Sequence, residues 1–140
     1  NGNEENLVDI INKIKKINPD ININHGRYAP INIDEFDKNQ NYLAFSGIGN
    51  HKTFIDMLQN NKLKIVNDLE YPDHYQYSKK DIDEIIYNAK KSNAEIITTE
   101  KDYLRLNNFN INKISYIKSS LKILDENNFV KKLIELNEKN

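Results

Sequence analysis

His74 is the side chain best suited to acid–base chemistry in this sequence, and it lies in the stretch Tyr71-Pro72-Asp73-His74-Tyr75. An imidazole titrates near neutral pH, so with a carboxylate partner it can accept a proton from a hydroxyl group. We therefore treat His74 and Asp73 as candidate catalytic residues. Sequence neighbours on a loop usually point apart, so we expect Asp73 to serve the geometry of the loop. The residues alone leave a second interpretation open, an exposed or hydrogen-bonded loop histidine.

A second polar stretch, Thr98-Thr99-Glu100-Lys101-Asp102, places hydroxyl, cation and anion side by side. In one interpretation Thr99 and Lys101 meet nucleotide phosphates or a facing domain, while Asp102 holds Lys101 in place. In the other, Thr99 caps a short helix, and the two acidic residues favour its positive amino end. The sequence favours neither interpretation over the other.

A third stretch is the turn that contains Gly47 and Gly49 and ends at Asn50. The glycines permit positive φ and close approach of a backbone or a ligand, and Asn50 can cap the helix that follows. A strand ending in Gly-x-Gly before a helix is also found in dinucleotide-binding turns, where Asp68 would be the ribose-binding acid. Lys52 stands where that fingerprint has its third glycine, so a tight strand-to-helix turn explains the pattern equally well.

Short apolar runs alternate with helical stripes, and this alternation sets where the polar stretches lie. The runs Tyr42–Phe45, Lys64–Val66 and Glu95–Thr98 predict strands, each followed by one of the three polar stretches. Alternating strands and helices predict an α/β fold of three layers (α/β/α), with a mainly parallel sheet and helices on both faces. Since ligands bind at the carboxyl ends of such strands, we expect the three loops to converge on one edge.

The flanking segments complete a predicted single domain of residues 1–140. Residues 1–40 are expected to form a helix with an apolar stripe from Leu7 to Ile17, an edge strand at Ile21–Asn24 and a connection, with His25–Pro30 irregular. Residues 41–140 are expected to form a βαβαβ core, a further strand at Ile114–Ile117 and a terminal helix. The remaining histidines, His25 and His51, are expected at the surface.

Composition excludes several classes of function. Twenty lysines and arginines face 21 acidic residues, giving a net charge of −1, so no overall field favours nucleic acid or an anionic membrane. Cysteine is absent, which excludes disulfides and thiolate metal sites and suits a reducing compartment. No apolar run reaches the roughly 20 residues of a membrane helix. We predict no metal ligands within this chain, and we expect it to be part of a longer protein, because it begins Asn1-Gly2 without an initiator methionine.

Three motifs together resemble the carboxy-terminal half of tetraacyldisaccharide 4'-kinase, the ATP-dependent lipid A 4'-kinase. They are Ala44-Phe45-Ser46-Gly47-Ile48-Gly49-Asn50, Pro72-Asp73-His74-Tyr75-x-Tyr77 and Thr98-Thr99-Glu100-Lys101-Asp102-x-x-Arg105-Leu106. The resemblance is firm from Tyr42 to Leu106 and looser on either side. It implies a second, P-loop-kinase-like domain without the P-loop. One departure is His51, at a position where the family commonly has proline.

The resemblance implies a carboxy-terminal portion of a kinase that phosphorylates the 4'-hydroxyl of tetraacyldisaccharide 1-phosphate in lipid A biosynthesis. His74 would then work with an aspartate from the amino-terminal half as a catalytic pair that activates this hydroxyl. The candidate cofactor-binding residues at the same edge are Gly47, Gly49, Asn50, Thr99, Lys101 and Asp102.

The sequence contains no Gly-x-x-x-x-Gly-Lys-Ser/Thr motif. In the family this phosphate-binding loop, the Mg²⁺ ligands and a membrane-associating segment lie in the amino-terminal half. The implied partners are therefore ATP, Mg²⁺, the lipid disaccharide and the missing P-loop domain. The implied location is the cytoplasm, at the cytoplasmic face of the inner membrane, with membrane contact through the missing half. The chain alone is expected to be inactive.

Two other classes of function stay open at this point. One is a dinucleotide-binding domain that uses Gly47, Gly49 and Asp68. The other is a non-catalytic α/β interaction module left from a split kinase.

Overall fold

The computed structural model describes residues 2–106, 108–109 and 111–138. They form strands, helices and one 3₁₀ turn at Ile33–Glu35. The strands are β1 (Gly26–Pro30), β2 (Asn41–Ser46), β3 (Lys64–Glu70), β4 (Glu95–Thr99), β5 (Ile114–Ile117) and β6 (Ser119–Ile123). The helices are α1 (Gly2–Ile17), α2 (His51–Asn60), α3 (Lys79–Lys91), α4 (Glu100–Arg105) and α5 (Glu126–Asn137).

Four strands form a parallel sheet in the order β3-β2-β4-β5, which confirms the predicted parallel arrangement. β2 is central, and Phe45 lies opposite Leu69 of β3 and Thr98 of β4. The register between β2 and β3 shifts after Tyr42. Because all three pairings are parallel, the loops that follow β2, β3 and β4 leave the sheet at the same edge.

Alternate side chains of β2 enter two different cores. Leu43 and Phe45 pack with Ile82 and Ile85 of α3. Tyr42 and Ala44 instead belong to the core that contains α2, whose members are Tyr42, Ala44, Phe54, Leu58, Leu63, Ile97 and Ile117. Side chains of a strand point alternately to its two faces, so α2 and α3 cover opposite faces of the sheet. This confirms the predicted three-layer α/β/α class.

The described chain divides into two compact units. Tyr28–Ser120 forms one and contains the four-stranded sheet; Asn1–Arg27 with Leu121–Asn140 forms the other, and its helices are α1 and α5. The single domain of 140 residues therefore stays a prediction. Among the described residues, no helix is both long enough and apolar enough to cross a bilayer.

The edge strand predicted at Ile21–Asn24 is wrong, since the strand begins at Gly26, in a segment predicted to be irregular. Its partner is β6, a strand that was not predicted. A Cβ added to Gly26 would lie 3.0 Å from Cδ1 of Leu121, so the missing side chain lets β6 approach closely. Period-two alternation marks a face for burial but does not supply a partner strand, and the partner decides where pairing occurs.

Candidate active site

Backbone hydrogen bonds join the loops that follow β2 and β3. The N–H of Tyr71 donates to the carbonyl of Ser46 at 2.9 Å, and the N–H of His74 donates to the carbonyl of Gly47 at 3.1 Å. The third element, α4, is joined through a side chain, because Gly47 N–H donates to Oδ2 of Asp102 at 3.1 Å. The three polar stretches therefore meet at one edge of the sheet, as predicted.

Asp102 is the buried centre of this convergence, with no exposed surface. Besides Gly47, its carboxylate accepts hydrogen bonds from Oγ1 of Thr99 at 2.7 Å and from Nη1 of Arg105 at 3.0 Å. The prediction that Asp102 holds Lys101 is wrong. On a helix, residues three apart share a face whereas neighbours do not, so Arg105 and not Lys101 meets the carboxylate.

Thr99 caps α4, because its Oγ1 accepts a hydrogen bond from the N–H of Asp102 at 3.1 Å. The capping interpretation is therefore confirmed. Thr98 is also structural, since its buried hydroxyl donates to the carbonyl of Phe45 at 2.7 Å. Contact of Thr99 with a nucleotide stays a prediction.

Gly47 is a site of close approach and not of unusual backbone conformation. No described glycine has positive φ. A Cβ at Gly47 would lie 3.1 Å from the carbonyl oxygen of Pro72, 3.1 Å from Cβ of Tyr75 and 3.1 Å from the hydroxyl of Tyr77. The loop after β3 therefore packs directly against this glycine.

Gly49 has much more room than Gly47. A Cβ there would meet only the carboxylate of Asp73, at 3.5 Å, which is ordinary contact. The next residue, Asn50, caps α2 as predicted, because its side chain accepts a hydrogen bond from the N–H of Thr53 at 3.0 Å.

His74 has φ of 60°, and its side chain is 71% exposed. Positive φ is uncommon for a non-glycine residue. It costs free energy, so it persists only where contacts with the surroundings offset that cost. Here the N–H of His74 donates both to the carbonyl of Gly47 and, at 2.9 Å, to Oδ1 of Asp73. Asp73 thus serves the loop's geometry, as predicted, and the ring of His74 is largely exposed.

The ring nitrogens of His74 have two different neighbours. Nη2 of Arg105 lies 3.1 Å from Nδ1, within hydrogen-bond distance. Nε2 lies 3.7 Å from Oδ2 of Asp73, which is beyond hydrogen-bond distance. No role was predicted for Arg105, although its spacing of three residues from Asp102 indicates an ion pair across one helix turn.

Tyr71, Tyr75 and Tyr77 pack the loop after β3, and Phe45 lies against Tyr77 with ring centroids 5.5 Å apart. Burial, reinforced by the charge of Asp81, raises the pKa of Tyr71 to about 12. Burial, reinforced by the charge of Asp102, also raises the pKa of Tyr77. The buried hydroxyl of Tyr77 has no hydrogen-bond partner within the described part of the chain.

The surface position predicted for His51 is wrong, since this side chain is only 4% exposed. Its Nδ1 lies 2.7 Å from Oγ of Ser46 and its Nε2 lies 2.9 Å from Oδ2 of Asp68. The strand β3 runs four residues beyond the predicted Val66, and this extension places Asp68 beside the first turn of α2. His25 is exposed, as predicted.

Lys101 is half-exposed, and its Nζ lies 3.9 Å from Oδ1 of Asp73. It also borders a cavity of about 500 Å³ together with Asn50 and Thr99, so three of the candidate cofactor-binding residues share one opening. The apolar part of the wall includes Ile48 and Phe54. Across the described residues, no group of three or more histidine or acidic side chains is arranged to hold a metal ion.

Comparison with known proteins gives one consistent family. The family model described as tetraacyldisaccharide-1-P 4'-kinase (LpxK) matches residues 5–138. A tetraacyldisaccharide 4'-kinase from Pelagibacter ubique (strain HTCC1062) is 75% identical over 140 residues, which are all of this chain and 45% of that protein. One from Rickettsia typhi (strain ATCC VR-144 / Wilmington) is 44% identical over 90 residues, 64% of this chain and 28% of that protein. The chain thus spans less than half the length of these relatives.

One solved structure is also similar to the chain. It is a crystal structure of the "apo" form of LpxK from Aquifex aeolicus in complex with ATP. The TM-score is 0.49 at 22% sequence identity, covering 86% of this chain and 39% of that one.

Proposed function

Because the chain belongs to the tetraacyldisaccharide-1-P 4'-kinase family, we propose that it is the carboxy-terminal portion of a kinase of lipid A biosynthesis. The reaction is transfer of the γ-phosphate of ATP to the 4'-hydroxyl of a tetraacyldisaccharide 1-phosphate. The observation that carries this proposal is the exposed His74, held with φ of 60° where the three loops converge. Non-glycine residues held in sparsely populated backbone conformations are concentrated at active sites, ligand clamps and switch regions.

In this proposal His74 is the catalytic group that the chain contributes. A sugar hydroxyl is a poor nucleophile, so a proton-accepting group within hydrogen-bond reach assists formation of the new phosphorus–oxygen bond. In the catalytic pair the carboxylate of the missing half accepts the proton, His74 holds that carboxylate by a hydrogen bond, and Asp73 keeps the loop in shape. The exposure of the ring supports the proposal, since a partner domain can reach it.

The rest of the phosphoryl-transfer machinery belongs to the missing amino-terminal half. Phosphoryl transfer depends on a backbone cradle for the phosphates and on bound Mg²⁺. We assign both, together with membrane contact at the cytoplasmic face of the inner membrane, to that half. From this chain, Lys101 supplies a half-exposed cation for the nucleotide phosphates, and Asn50 and Thr99 border the same opening.

Reconstitution with the missing half tests the proposal. The chain is co-expressed with the amino-terminal half, and transfer of labelled phosphate from ATP to the lipid acceptor is measured with Mg²⁺ present. We expect activity from the combination and none from the chain alone. His74→Ala should lower kcat by about 10²- to 10⁴-fold while the affinity for ATP stays nearly unchanged.

His25→Ala is the matched control, since His25 is another exposed histidine. It should leave kcat unchanged. A combination without activity would favour a non-catalytic interaction module, and saturable binding of NAD or NADP would favour a dinucleotide-binding domain. Unchanged kcat in His74→Ala would remove His74 from the catalytic machinery.

A further inference from the structure

We propose that Arg105 is a positioning residue, which sets the tautomer of the His74 imidazole so that its ring proton lies on Nε2. The inference begins from the distance of 3.1 Å between Nη2 of Arg105 and Nδ1 of His74. An arginine side chain has five N–H donors, no acceptor, and a charge that is not lost in proteins. Nδ1 must therefore be the acceptor, with its lone pair directed at the guanidinium.

This contact selects one of the two neutral tautomers of His74. The tautomer protonated on Nδ1 would set an N–H against the donor of Arg105. The other tautomer carries its proton on Nε2. The exposed edge of His74 therefore presents an N–H group, and a reacting partner that meets this edge must accept a hydrogen bond.

Arg105 is itself fixed in place from two further directions. Its Nη1 donates to Oδ1 of Asp102 at 3.0 Å and to the carbonyl of Gly47 at 3.0 Å. Asp102 is fully buried, and the side chain of Arg105 is only 15% exposed. A guanidinium held by two acceptors loses little further freedom when it also donates to His74, so the third contact forms at small entropic cost.

The carbonyl of Gly47 is shared by both partners. It accepts from the N–H of His74 at 3.1 Å and from Nη1 of Arg105 at 3.0 Å. One oxygen atom therefore aligns the backbone of His74 and the guanidinium that meets its ring. Backbone conformation and ring tautomer are set by the same point of the loop after β2.

A lysine at this position would keep the charge but not the geometry. Its ammonium is a point charge on a flexible stem, whereas the two terminal nitrogens of arginine reach separate acceptors in one plane. Arg105→Lys keeps a cation beside the buried Asp102 carboxylate, so the fold is expected to survive. It is therefore the better test, and Arg105→Met, which leaves that carboxylate unpaired, is the more severe one.

The first measurement is the tautomer itself, in the full 140-residue chain labelled with ¹⁵N-histidine. Long-range ¹H–¹⁵N correlation spectra distinguish the protonated from the unprotonated ring nitrogen. We expect His74 to show only the form protonated on Nε2, whereas exposed His25 shows an average of both forms. In Arg105→Lys, His74 should shift towards the average seen for His25. An averaged His74 in the wild-type chain, or an unchanged His74 in Arg105→Lys, would overturn the inference.

The second measurement is kinetic, and only this part rests on the proposed function. In the reconstituted kinase, Arg105→Lys should lower kcat by about 10²-fold, as expected for a misplaced catalytic group, with KM for ATP unchanged. A changed tautomer with unchanged kcat would show that Arg105 does not position His74 for the reaction. A reconstituted wild type without activity would contradict the proposed function, while the spectra would still decide the state of His74.

Discussion

The carboxylate of Asp102 accepts a hydrogen bond from the backbone N–H of Gly47 at 3.1 Å, joining positions 55 residues apart in the chain. Asp102 is fully buried and also binds Arg105. A single side chain at the start of α4 thus fixes the turn after β2 and, through Arg105, the ring of His74. The exposed candidate site is therefore held in place by hydrogen bonds to a buried carboxylate.

Removal of the Asp102 carboxylate is expected to destabilise the fold strongly. Asp102→Ala leaves the guanidinium of Arg105 without its buried counter-charge, and breaking a buried pair costs about 3–5 kcal/mol. Urea unfolding followed by circular dichroism measures the change in unfolding free energy. The control is Glu100→Ala, which removes an exposed acid from the first turn of the same helix. Equal effects of the two substitutions would mean that Asp102 stabilises the fold only through its charge near the amino end of the helix.

Gly47 and Gly49 should differ sharply in their tolerance of a methyl group. In Gly47→Ala the new Cβ would be 3.1 Å from three atoms, one of them a backbone oxygen, so we expect a cost of about 1–3 kcal/mol. In Gly49→Ala the nearest atom is 3.5 Å away, and the change should stay within about 0.5 kcal/mol. Thermal unfolding of both variants decides the matter. A well-tolerated Gly47→Ala would mean that the loop after β3 can move aside.

His51 is expected to be structural despite its histidine chemistry. His51→Ala leaves the fully buried hydroxyl of Ser46 without its imidazole partner and removes the contact with Asp68. The loss of a partner for a buried polar group costs about 1–3 kcal/mol. The matched substitution His25→Ala, at an exposed position, should stay within about 0.5 kcal/mol in the same urea titration. Two equally small effects would show that the contacts of His51 do not stabilise the fold.

The raised pKa values of two tyrosines predict that the fold loses stability at alkaline pH. Burial raises the pKa of Tyr71 from 10.0 to about 12 and also raises that of Tyr77. At a pH between 10.0 and about 12, Tyr71 of the native state still holds a proton that the unfolded chain has released. The contribution is therefore complete below about pH 10 and is lost as the pH rises towards about 12.

Urea midpoints measured at about pH 9 and about pH 11 test this sign. The unfolding free energy should be lower at the higher pH, and the decrease should be smaller in Tyr71→Phe. Tyr87→Phe, which removes the hydroxyl of an exposed tyrosine, is the control. A decrease of equal size in wild type and Tyr71→Phe would contradict the assignment.

The sequence alone determined the strands of the parallel sheet, the helices that cover it and two of the helix caps. Apolar periodicity placed β2, β3, β4 and the main helices, and the strand–helix alternation predicted the parallel sheet. The caps at Asn50 and Thr99 were predictable because each bond spans three residues. Such contacts depend on local spacing, which the sequence displays directly.

Only the tertiary structure decided which distant side chains meet. His51 and Asp68 are 17 residues apart, His74 and Arg105 are 31 apart, and Gly47 and Arg105 are 58 apart. No periodic pattern encodes such pairs, because they depend on strand order, register and the exact length of β3. The burial of His51 and the role of Arg105 therefore appeared only when the sheet brought the three loops to one edge.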